Sequence, residues 1–161
     1  MMKSSLLAAA LVASALPAFA HGGDRGEAKA TVAGKSVVID YGRPALKGRD
    51  MLAQATVGKA WRMGMDAATT LKTDADLSFG GVGVPKGAYV LTATKVADDK
   101  WQMTVATNDA EKKTVAEVPL VSSKAATSSE QFTIDLKAAK DKGDLVLTWG
   151  TTALSAAFTG K

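Results

Sequence analysis

The sequence contains no cysteine and a single histidine, His21. The first absence excludes disulfide staples, thiolate metal sites and a cysteine-linked lipid anchor. The second excludes any arrangement that needs two imidazoles. G-x-S-x-G elbows, H-E-x-x-H pairs and Cys-His pairs are missing as well, so no familiar hydrolytic set is present. Beyond the first twenty residues no apolar run approaches the roughly 18 residues that a membrane-spanning helix needs. An excess of one charge is lacking too. The 20 basic and 16 acidic side chains leave a net +4, interspersed rather than gathered into the basic face that nucleic acid requires.

What is present begins with Met1-Met2-Lys3, an apolar run from Leu6 to Leu16, and Ala18-Phe19-Ala20. A charged start, a short greasy middle and a small-x-small end read as an export signal over residues 1–20, removed before His21. The expectation is a protein of the periplasm or the medium. Without Lys3 the basic count falls to 19 against 16 acids, about +3. The remaining chain of about 140 residues suits one domain. Residues 21–28, "HGGDRGEA", are rich in glycine and charge, and residues 21–34 are assigned as a flexible lead-in to a domain over 35–161.

From there apolar and polar residues alternate with period two. Val37, Ile39 and Tyr41 share a face; so do Ala75, Leu77 and Phe79; Tyr89, Leu91 and Ala93; Trp101, Met103 and Val105; Phe132, Ile134 and Leu136; Leu145, Leu147 and Trp149; and Leu154, Ala156 and Phe158. These are half-buried strands. Turn formers separate them at Gly80-Gly81, Pro85-Lys86-Gly87, Asp98-Asp99-Lys100, Asn108-Asp109 and Lys142-Gly143-Asp144. Strands with one apolar face need a second layer, which predicts an all-β fold: a single antiparallel β-sandwich or flattened barrel. Two short helical turns are expected, one over 50–54 capped by Asp50 and one within 136–143.

The alternation stops in "YGRPALKGRDMLAQATVGKAWRMG", residues 41–64. Pro44 and Gly48 bend the backbone while Arg43, Lys47 and Arg49 hang from it. A guanidinium fork suits a carboxylate or phosphate, and an aromatic face suits a sugar or a stacked cation. Tyr41, Arg43, Lys47, Arg49, Trp61, Arg62 and Asp66 are therefore the candidate contacts for a small anionic or carbohydrate-like ligand, or for an envelope protein. The competing reading, which we place first, is structural. In it Arg43 and Arg62 pair with Asp40, Asp50 or Asp66, or satisfy carbonyls that strands leave unpaired, and Trp61 closes one end of the core.

Five segments, "IDYGRPALKGRDML", "GKAWRMGMDAATTL", "GVGVPKGAYVLTA", "DKWQMTVAT" and "LVLTWGTTALSAAF", together resemble a family of bacterial exported proteins of unknown function, DUF2911. The resemblance runs in order from Val37 to Phe158. Its marks fall on Arg43, Pro44, Lys47, Gly48, Arg49, Trp61, Arg62, Gly64, Pro85, Gly87, Tyr89, Trp101 and Trp149. It implies an exported, mostly β domain and brings no activity with it. The chain departs from the family's W-R-T-G-A-N pattern: Met63 and Met65 stand for the threonine and alanine, and Asp66 for the asparagine. An acid at 66 favours an ion pair with Arg62.

Two other chemistries have some footing. His21 with a free amino terminus, and Met63-x-Met65 on one side of an extended segment with Met51 and Met103, would suit copper; methionine is more often filler in an irregular core. A hydrolase would have to use Asp40, Asp50 or Asp66, carboxylates beside arginines that blunt their basicity. No catalytic residue, metal ligand or cofactor is assigned. The sequence reads as an exported, non-catalytic binding or structural accessory.

Overall fold

The computed structural model describes residues 24–161, so the expected export signal and His21 lie outside the described residues. Every ladder is antiparallel. β1 (Arg25–Val32) and β2 (Lys35–Gly42) form a hairpin through Ala33 and Gly34, which share the left-handed backbone (φ 50° and 74°) of a two-residue turn matched to strand twist. β3 (Ala60–Trp61) is a fragment beside the sheet, followed by β4 (Thr69–Thr73) and the short hairpin of β5 (Leu77–Phe79) and β6 (Val82–Val84). β7 (Gly87–Ala97) turns at Asp98-Asp99 into β8 (Lys100–Thr107), and the chain ends in two long strands, β9 (Thr114–Ala139) and β10 (Lys142–Gly160).

The strand order is β1-β2-β4-β7-β8-β9-β10-β5-β6, with β3 added to β7. This one sheet becomes two layers because β9 and β10 bend together. Between the pairs Gly150↔Ser129 and Thr152↔Lys124 the register slips: β9 advances from 124 to 129 while β10 advances only from 150 to 152. The excess on β9 is a bulge, and bulges bend a ladder. Gly150 sits at the bend with φ 61°, in the left-handed region where a β-carbon is costly. Beyond the bend, residues 133–139 and 142–148 fold back over β1 and β2. The Tyr41 hydroxyl donates to the Ile134 carbonyl (3.4 Å), and the Ala33 amide to the Lys140 carbonyl (2.8 Å). Val37, Ile39, Leu71, Leu91, Met103 and Val105 on one side meet Phe132, Ile134, Leu145 and Leu147 on the other, all buried in one core. The all-β, sandwich-like expectation holds, and the sheet does not close into a barrel.

Three local expectations meet the structure differently. Residues 25–32 of the supposed lead-in form β1, paired along its length with β2. Its inward positions Gly26, Ala28 and Ala30 are too small to announce a strand, and at 26 the residue must be small. A β-carbon at 26 would stand 2.8 Å from the Arg43 Cδ. The stretch 136–143 forms no helical turn; residues 136–139 stay in the ladder, and Lys140, with φ 58°, opens a tight hairpin. Residues 50–54 form a hydrogen-bonded turn (Gln54 amide to Asp50 carbonyl, 3.1 Å) capped by Asp50 as expected, whose Oδ1 accepts from the Ala53 amide (3.2 Å). No helix occurs among the described residues.

Tyr89 locks the entry to β7. Its hydroxyl donates to the Pro85 carbonyl at 2.6 Å, and burial, with the Asp76 carboxylate second, raises the phenol above its ordinary pKa.

Candidate functional site

Residues 43–68 leave β2 and return to β4 as a long excursion stitched to the folded-back hairpin. Arg43 Nε donates to the Phe132 carbonyl (3.3 Å) and a terminal nitrogen to Thr133 Oγ1 (3.2 Å). The Phe132 amide donates to the Pro44 carbonyl (2.9 Å), the Leu46 amide to the Glu130 carbonyl (2.9 Å), and Ala45 bridges Gln131. Asp50 Oδ2 accepts from the Thr151 hydroxyl (3.2 Å), which ties the capped turn to β10 beside the bend. The Gly58 amide reaches the Lys95 carbonyl (2.9 Å), after which Ala60 and Trp61 pair with Thr94 and Ala93. The excursion then crosses its own start. A β-carbon on Gly64 would stand 2.9 Å from the Gly42 carbonyl, and one on Gly42 would collide with the Met65 backbone. Only glycine fits either side of that crossing.

This path carries Trp61 over the core's aromatic end. Its ring lies nearly parallel to Trp149 (centroids 5.7 Å, 15°) and edge-on to Phe132 (4.9 Å) and Trp101 (6.5 Å). Such stacked and edge contacts exceed simple area burial in value. Above them lies a cavity of about 430 Å³ whose lining includes all three tryptophans, Met51, Leu52, Ala55, Arg49 and Lys59. That volume falls within the about 300–1,000 Å³ of small-molecule sites. No acidic side chain lines it. Arg49 and Lys59 are exposed and take no part in the ion pairs Arg25–Asp40 and Lys29–Glu27. Trp149 is 5% exposed, and its buried indole N–H has no hydrogen-bond acceptor among the described residues.

The structure thus divides the sequence candidates. Arg49 and Trp61 line the cavity together. Tyr41 is buried in the core against Phe132, and Arg43 clamps β9. Lys47, with φ 50°, is exposed on the outer turn, where Glu130 accepts from its backbone amide (3.1 Å). Arg62 donates to the Asp66 backbone carbonyl (2.7 Å), which brings together the two residues expected to pair. Of the ion pairs proposed for the arginines, Asp40 is instead taken by Arg25, and Asp50 serves as a cap. Trp101, Trp149, Met51, Leu52 and Lys59 join the site without standing among those candidates. For two of them the available signal is the tryptophan itself, since the chain has only 3 and all of them converge here.

The copper premise does not fit this backbone. Met63 has φ 53° and is fully buried, its carbonyl accepting from Thr69 Oγ1 (2.7 Å), so 63–65 is not an extended segment presenting two thioethers on one side. Met103 is also buried in the core. Among the described residues no three His, Cys, Asp or Glu side chains gather as a metal site.

A family model described as "Protein of unknown function (DUF2911)" matches residues 24–158. The chain belongs to the DUF2911 family. The match takes in β1 as well as the excursion, and the residues that carry the resemblance divide between two tasks in this DUF2911 domain. Arg43, Gly64, Pro85 and Tyr89 fasten the backbone, whereas Arg49, Trp61, Trp101 and Trp149 meet at the cavity. No curated protein and no solved structure matches the chain.

Proposed function

We propose that this DUF2911 domain is an exported, non-catalytic binding protein that holds a small molecule in the tryptophan-lined cavity beside the 43–68 excursion. The observation that carries the reading is the convergence of all three tryptophans of the chain on one cavity with two cations at its wall and no acid. Export rests on the first twenty residues. An envelope location would expose the cavity to free solutes outside the cytoplasm.

A thermal-shift screen of the mature protein against sugars, sugar acids, aromatic acids, phosphates and peptidoglycan fragments tests the reading. A ligand at 100 times its Kd adds about 2.7 kcal/mol, and the stabilising compound should quench tryptophan fluorescence in proportion to its occupancy. A screen with no shift, or a shift with unchanged fluorescence, removes the cavity from consideration. Export is tested by fractionating cells and sequencing the mature N-terminus; a cytoplasmic protein that keeps residues 1–20 would refute it.

A further inference from the structure

The composition of the cavity selects among ligands, given the binding role proposed above. Its wall is mostly apolar, and Gln54 and Thr56 are its neutral polar side chains, two for the many hydroxyls of a sugar. Its two charged members are both cations. We infer that the ligand is a flat, largely apolar carboxylate or comparable anion. Its charge is held by Arg49 and Lys59, and its apolar body lies against the indoles. Arginine and lysine at exposed positions supply charge where solvent is still present, and the aromatic faces take the apolar body.

Isothermal titration with four probes tests this: 6-hydroxy-2-naphthoate, 2-naphthoate, 2-naphthol and glucuronate. The two naphthoates should bind most tightly. Removing the carboxylate, as in 2-naphthol, should weaken binding on the order of tenfold or more, and that difference should vanish in the Arg49→Gln/Lys59→Gln double variant. Removing the hydroxyl, as in 2-naphthoate, should leave the affinity nearly unchanged, because the charge and the rings are kept. Both charge substitutions are on exposed side chains. Equal affinity for 2-naphthol and 6-hydroxy-2-naphthoate, or tighter binding of glucuronate than of any naphthalene, overturns the assignment of ligand class while leaving the cavity a binding site. Failure of all four probes to bind below millimolar concentration overturns the ligand class, and the thermal-shift screen decides the binding role separately.

Discussion

Replacing Arg43 with glutamine separates the two tasks that share residues 41–64. In the folded protein the Arg43 guanidinium makes two bonds to β9, at 3.3 Å to the Phe132 carbonyl and 3.2 Å to Thr133 Oγ1. Bonds from a charged donor contribute about 1.5–3 kcal/mol each, and these lengths lie at the long end of the range, so the lower half applies. The side chain is only half-buried, which trims the sum further. A loss of about 2–3 kcal/mol is expected, and in a domain of this size 1 kcal/mol moves the melting temperature by roughly 3–5 °C. On those figures Arg43→Gln should melt about 6–15 °C below the parent. Arg49→Gln is the internal control: its guanidinium is exposed on the cavity wall, and surface substitutions of that kind stay within about 0.5 kcal/mol. Differential scanning calorimetry of the two variants and Arg43→Lys, which keeps the charge but loses the planar fork, decides the matter. Equal melting temperatures for Arg43→Gln and the parent would refute the claim that Arg43 fastens the excursion to the hairpin.

Tyr89→Phe deletes the bond to the Pro85 carbonyl and should cost about 1 kcal/mol in urea unfolding, with the slope unchanged. The raised pKa of Tyr89 means that its share of stability is intact below the ordinary phenol range and is lost as pH rises through the folded value; the parent should lose stability in alkali more steeply than Tyr89→Phe. Asp109 is held below the usual carboxylate range, first by the Thr107 hydroxyl and then by the Lys112 amide, so its contribution is present above the unfolded pKa and lost as pH falls through the folded one. The protection factors of the Glu111 and Lys112 amides, measured by NMR against the intrinsic exchange rate at each pH, should fall on that acid limb, and Asp109→Asn should flatten the response. Lys140→Gly relieves a left-handed non-glycine residue (φ 58°) and should raise stability by a few tenths to about 1 kcal/mol in the same urea assay.

Strands whose inward residues are large are legible in the amino-acid pattern alone. Val37-Ile39-Tyr41 and Phe132-Ile134-Leu136 alternate plainly, and they are strands. β1 is not legible in this way, because Gly26, Ala28 and Ala30 carry little hydrophobic contrast; at Gly26 the size is set by Arg43 and Tyr41 packing across it, which no local pattern shows. The hairpin at Lys140 is hidden for a similar reason. "LKAAKDKG" has good helix formers, and pairing with β10 overrides their preference. Within the site, Arg49 and Trp61 stand out since they interrupt an alternating chain. Trp101 and Trp149 fit the alternation so well that they pass as ordinary core, and only the bend at Gly150 brings Trp149 beneath Trp61.

The placement of those indoles at positions 61, 101 and 149 ties occupancy to late synthesis. A nascent chain has no third wall until residue 149 is made, and under the export proposed above, a chain threaded unfolded through a translocation pore carries no cavity at all. On that route any solute is acquired at the destination, never brought along as cargo.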